Sequence, residues 1–150
     1  MVTAAEKNGS WAEQATRELA AAGYRRGGAR ASVIELLDGQ SCALSALEIE
    51  DALRRTGGRR VARASVYRIL EQLEELRLVS RVEVGHGLAR FEAVRSEGHH
   101  HHMVCNRCGN VIPFEDADLE RTIRRVTDRV SFDVLEHEVV LHGDCADCRN

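Results

Sequence analysis

Two Cys-x-x-Cys pairs constrain what this chain can fold into more than any other feature. They are Cys105-Asn106-Arg107-Cys108 and Cys145-Ala146-Asp147-Cys148, with 36 residues between them. Each two-residue spacer lets both sulfurs of one turn face a single ion, and two such turns build a tetrahedral four-thiolate zinc site. A redox dithiol needs only one such motif. The polar segment Met1–Trp11, with Glu6 and Lys7, offers no apolar core for a secretory signal. A reducing cytoplasmic compartment is therefore expected, where stable disulfides are disfavoured. No apolar run approaches the roughly 18 residues that span a bilayer, so no membrane partner is expected. The fifth thiol, Cys42, is expected as a small core side chain.

Ahead of the cysteines the apolar residues repeat at helical spacing. Residues 1–9 are expected to fray. Ser10 can cap a helix from Trp11 to Ala22, with Trp11, Ala15 and Leu19 on one stripe and Gly23 as its stop. A Gly/Arg loop over Arg25–Arg30 leads to a second helix from about Ala29 to Leu37. Ser45 and Glu48 form a capping box for a third, with Leu47, Ile49 and Leu53 inward. A fourth, over Ala62–Leu76, turns Val66, Ile69, Leu70, Leu73 and Leu76 inward. Two strand-like runs follow, Leu78–Val84 and Leu88–Val94, joined by Gly85-His86-Gly87, which predicts a hairpin. Helices followed by a hairpin describe a winged helix-turn-helix, whose last helix enters the major groove.

Charge agrees with that order. The net charge is -3, but residues 1–95 carry 15 Lys/Arg against 13 Asp/Glu, and residues 96–150 carry 6 against 11. Ala52–Leu70 holds Arg54, Arg55, Arg59, Arg60, Arg63 and Arg68 and no acid, which suits a phosphate backbone as well as a solvated face.

After a hinge at Arg95-Ser96-Glu97-Gly98, short strands are expected at His101–Val104 and Val111–Phe114. A helix is expected over Asp116–Val130, with Leu119, Ile123, Val126 and Val130 on one face. A strand over Val134–Leu141 then leads to the second cysteine pair. The whole is α+β: residues 1–95 form a winged-helix DNA-binding domain, and residues 96–150 a small metal-binding α/β dimerisation domain stapled by zinc. Four consecutive histidines precede the first cysteine pair. On an extended strand His100 and His102 face one way and His99 and His101 the other, an arrangement that can feed two metal sites.

Four segments resemble the ferric uptake regulator superfamily. They are Ala64–Leu70; Arg90-Phe91-Glu92; His99–Val104 running into Cys105-x-x-Cys108-Gly109; and Leu141-His142-Gly143-x-Cys145-x-x-Cys148. The resemblance implies a homodimeric repressor of double-stranded operator DNA, with metal as co-repressor. It implies structural zinc on Cys105, Cys108, Cys145 and Cys148. It assigns Glu92, His100 and His102 to a regulatory hinge site for zinc or iron, and His99, His101, Glu120 and His137 to a second site. For DNA it points to Tyr67 and Arg68 on the recognition helix, Ser65 near its start, and Arg25 before the second helix.

The sequence also departs from the family pattern. Ala43 stands where relatives often carry a further histidine, leaving Cys42, His86 or water to complete the hinge site. Pro113 stands where the peroxide-sensing branch, the alternative within the family, uses a carboxylate. Gly27 and Ala29 replace Thr and Pro common in relatives. Catalysis is disfavoured because four thiolates leave zinc no open position and His-Glu-x-x-His is absent. A zinc-stapled interaction module without DNA binding is the alternative of another class.

Overall fold

The computed structural model describes residues 9–58, 60–95 and 98–149. Most of the expected frayed N-terminus, Arg59, and Ser96 and Glu97 of the expected hinge lie outside the described residues. The chain divides into two compact units, Met1–Arg95 and Ser96–Asn150.

The first unit is built on capped amphipathic helices. In α1 (Trp11–Ala21) the Ser10 hydroxyl accepts from the Glu13 N–H at 3.2 Å, and the Glu13 carboxylate accepts from the Ser10 N–H at 3.1 Å. Trp11, Ala15 and Leu19 are buried, and the indole N–H donates to the Leu78 carbonyl at 3.0 Å. A left-handed Gly23 (φ 89) follows the helix, as its lack of a Cβ permits. Next come α2 (Gly28–Asp38), the two-residue strand β1 (Leu44–Ser45) and α3 (Ala46–Arg55). Ser45 and Glu48 form a second capping box. The inward face of α3 is Ala46, Ile49 and Leu53. Leu47, expected inward, is 47% exposed, because it sits one residue and about 100° round from Ala46.

Helix α4 (Arg63–Glu75) buries Val66, Ile69, Leu70 and Leu73. Full burial of side chains such as Leu37, Ile49 and Leu70 contributes roughly 1.5–3 kcal/mol each. The hairpin β2 (Val79–Gly85) and β3 (Leu88–Ala93) turns through Gly85, His86 and Gly87, all with positive φ. The sheet order is β1-β3-β2, with Leu44 opposite Phe91. This three-stranded wing was expected with two strands only.

The second unit comprises β4 (His101–Cys105), β5 (Val111–Phe114), α5 (Ala117–Arg129) and β6 (Val140–Gly143). Its sheet runs β5-β4-β6, antiparallel on one side of β4 and parallel on the other. The last strand is shorter than the expected Val134–Leu141. The Val139 N–H donates to His101 Nδ1 at 3.2 Å, so it is engaged by a side chain rather than by a ladder. Asp116 caps α5 by accepting from the Leu119 N–H at 2.8 Å. That helix has no buried residue among those described: Leu119 and Ile123 are half-buried, and Val126 and Val130 exposed. Met103, Ile112 and Leu141 are in register across the sheet and also exposed. No described helix is long and apolar enough to cross a membrane.

Candidate metal centres and nucleic-acid interface

The four cysteines converge because two strands deliver them side by side. Strand β4 ends at Cys105, and parallel pairing sets Cys105 opposite Gly143, two residues before Cys145. The first turn closes through the Gly109 N–H donating to the Cys105 carbonyl at 2.9 Å, and the second through the Cys148 N–H donating to the Cys145 carbonyl at 3.0 Å. The Cys145 N–H donates to Cys105 Sγ at 3.3 Å, and Cys108 Sγ and Cys145 Sγ are 3.8 Å apart. All four sulfurs lie within 4.8 Å of one another. Backbone N–H groups of Cys108 and Cys145 hold the Cys105 thiol down at about 6. Hydrogen bonds with Cys145 and Cys108 push Cys148 up to about 12. Four sulfurs this close cannot all ionise in water without a cation among them. The donor set fits zinc, which takes four thiolates tetrahedrally and displaces their protons.

A second cluster gathers His99, His101, Glu120 and His137, again with ligand atoms within 4.8 Å of one another. His101 Nε2 is 2.7 Å from Glu120 Oε1, and His137 Nε2 is 3.1 Å from Glu120 Oε2. His99 Nε2 is 3.2 Å from His137 Nε2. His101 is only 1% exposed, and the Val139 amide orients its ring. Burial, then the neighbouring His101 and His137, lower the pKa of His99 and favour the neutral imidazole that binds metal. Hydrogen bonds from His101, then His137, keep the Glu120 carboxyl below its usual range. Three imidazoles and one carboxylate suit a borderline divalent ion such as zinc or iron.

The expected hinge set is divided between the units. Glu92 is on β3 and its carboxylate accepts from the Ser80 hydroxyl at 3.4 Å. His100 and His102 are at the start of β4 with ring centroids 4.9 Å apart, and His102 Nδ1 is 3.7 Å from Glu138 Oε1. Although β4 begins only at His101, the histidine alternation extends one turn of pleat upstream of it. Cys42, expected in the core, is half-buried instead. Burial pushes its thiol pKa up, a backbone hydrogen bond with Ala43 opposes this, and Glu92 adds to the rise. His86 sits exposed at the hairpin tip.

The nucleic-acid candidates lie in the first unit. Tyr67 and Arg68 point away from the core on α4, and Ser65 is half-buried in its first turn. Arg25 is exposed in the loop before α2. Arg63 pairs with Glu50 at 2.8 Å and Arg54 with Asp51, so two members of the basic run have acidic neighbours. Arg60 and Arg68 have no ion pair among the described residues. The helices differ at their starts: α1, α3 and α5 have side-chain caps, whereas α2 and α4 have neither a side-chain cap nor a first-turn acid. Unmet N–H groups with positive dipole ends attract phosphate. Sequence reasoning missed this contrast, although Gly27 and Ala62 at the two N-caps would have signalled it.

A winged helix followed by a zinc-stapled, histidine-bearing α/β unit defines a class, the metal-responsive transcriptional regulators. The family model "Ferric uptake regulator family" matches residues 21–142. The ferric uptake regulation protein of Pseudomonas aeruginosa is 36% identical over 126 residues, covering 83% of this chain and 92% of its own. Among solved structures, the Helicobacter pylori ferric uptake regulator, described as having three functional metal-binding sites, superposes with a TM-score of 0.80 at 26% identity, covering 94% of this chain and 93% of its own. The P. aeruginosa regulator with manganese gives 0.72 at 33% identity, covering 87% and 97%. The chain belongs to the ferric uptake regulator family. It is a metal-responsive transcriptional regulator, not an enzyme, and the peroxide-sensing alternative gains no specific support.

Proposed function

We propose that the chain acts in the cytoplasm as a homodimeric repressor that binds a double-stranded operator when a regulatory metal, zinc or iron, is bound. Residues 1–95 supply the DNA-binding domain and residues 96–150 the dimerisation domain. The regulatory ligands are Glu92, His100 and His102. The set His99, His101, Glu120 and His137 is a second site, and Cys105, Cys108, Cys145 and Cys148 hold structural zinc. Arg68 reads a base edge or clamps a phosphate, with Tyr67 beside it and Ser65 and Arg25 on the flanking backbone or groove.

The observation that carries the reading is the sorting of four successive histidines. His99 and His101 join one cluster, and His100 pairs with His102. The strand they lead into ends at a thiolate of the other metal set. Imidazole and carboxylate release metal more readily than four thiolates do, so one set can respond to metal supply while the other holds the fold. The uncovered apolar face of α5 and the exposed Met103, Ile112 and Leu141 support a second copy as the dimer partner.

The test is a metal titration of chelated wild type, His102→Ala and His137→Ala, following operator binding and dimer mass together. Mild chelation is expected to abolish operator binding while the dimer persists. His102→Ala should stay inactive at any metal concentration, and His137→Ala should lose less. A normal metal response in His102→Ala would move sensing to the second set.

A further inference from the structure

A cavity of about 120 Å³ lies in the first unit between α1 and α2. Its wall is apolar, from Leu19 and Ala20 on α1 and Ile34 on α2. Its rim is cationic: Arg25 and Arg26 from the connecting loop, and Arg30 from α2. Among the described residues no acidic side chain lines it. Cavities of about 150 Å³ accept a benzene ring, so this one suits a ring-sized or short branched body.

Arg30 is the unusual member. Its Nη2 donates to Gln72 Oε1 at 2.8 Å and its Nη1 to the Arg25 carbonyl, both neutral acceptors. Its guanidinium carbon stands 5.4 Å from the centroid of the Tyr24 ring. Its Nε is buried and meets no acceptor. The Tyr24 hydroxyl in turn donates to Glu75 at 3.3 Å. Arg30 is thus fixed in place, its charge faces no ion-pair partner among the described residues, and its buried Nε–H meets no acceptor. Buried donors are almost always satisfied in folded proteins, and a guanidinium meets carboxylates through Nε and Nη together.

We propose that this cavity binds a small organic carboxylate: an apolar body of about one ring against Leu19, Ala20 and Ile34, and a carboxylate at the guanidinium rim formed by Arg30 and Arg26. The three cations draw the anion in, and the apolar wall discriminates against fully hydrated inorganic anions. Arg25 belongs both to this rim and to the proposed DNA surface. A bound carboxylate therefore lowers the positive potential that the surface offers to DNA.

The experiment uses the full-length, zinc-loaded protein and benzoate as the probe, with no DNA present. Binding is followed by calorimetry and by the Arg Nε–H resonances. Benzoate should saturate in the millimolar range and shift the Arg30 Nε–H resonance. Benzyl alcohol should bind about tenfold more weakly, as expected when one charge-assisted hydrogen bond is lost. Inorganic phosphate, lacking the body, should also be weaker. Ala31→Leu fills the cavity from an exposed helix position, and Arg26→Ala removes an exposed rim charge, so neither threatens the fold. Both should weaken benzoate binding, Ala31→Leu the more. The proposal is overturned if benzoate does not saturate, if phosphate matches it, or if both variants bind it as wild type does.

Discussion

The two units reach order by different means. Nearly all of the buried apolar side chains, from Trp11 to Phe91, belong to the first unit; among the described residues the second contributes only Val104 and Cys105. The first has four helices and a wing closed on one core. The second has a three-stranded sheet, a helix with no fully buried residue among those described and a loop carrying Leu135 at 98% exposure. Hydrophobic burial thus accounts for the order of the first unit, whereas the proposed zinc and partner copy would supply much of what the second lacks.

The sharpest way to break this comparison is to remove a thiolate. Cys145→Ser is expected to abolish zinc retention and unfold residues 96–150, because structural zinc supplies on the order of 10 kcal/mol of binding coupled to folding. Metal analysis and limited proteolysis check it; the winged-helix unit should stay protease-resistant. The complementary cut is Leu70→Ala in the first core. It should cost about 2–5 kcal/mol in denaturant unfolding of that unit while zinc content and dimer mass remain normal.

Next in size is Arg68→Ala. It should weaken operator binding by about 1–3 kcal/mol, less on random DNA, with no change in metal or mass. Equal losses on both DNAs would make Arg68 a phosphate clamp. Smallest is Ser45→Ala. Losing one capping-box acceptor should cost about 1 kcal/mol of stability in the first unit only, read as a lowered unfolding midpoint.

Local signals were the legible ones. The Ser10 cap, the Ser45–Glu48 capping box and the Gly85-His86-Gly87 turn depend on residues a few places apart, and their elements lie within a residue or two of expectation. Nonlocal pairing was harder to see. Strand β1 exists only because Leu44 and Ser45 meet Phe91 and Arg90, 45 or more residues away. The alternation over Val134–Val139 has strand character, yet the side chain of His101 claims the Val139 amide. Cys42 misled because small thiols usually bury, whereas here it is half-buried and close enough to Glu92 to feel its charge. Each Cys-x-x-Cys turn and the alternation of the four histidines follow short-range rules, whereas the meeting of the two cysteine turns depends on the nonlocal pairing of β4 with β6.

Strand β4 carries a last consequence. From His102 to Cys105 it spans three residues, roughly 10 Å of extended chain. Zinc in the four-cysteine set would pin one end, and pairing with β5 and β6 holds both flanks. On the proposed assignment, the histidines at the other end would then already be in position when a regulatory ion arrives, and little chain entropy would remain to be lost on its capture. Mutating a cysteine should then weaken metal binding at histidines it never touches, with every imidazole ligand intact, because the loosened strand must be ordered anew at each binding event.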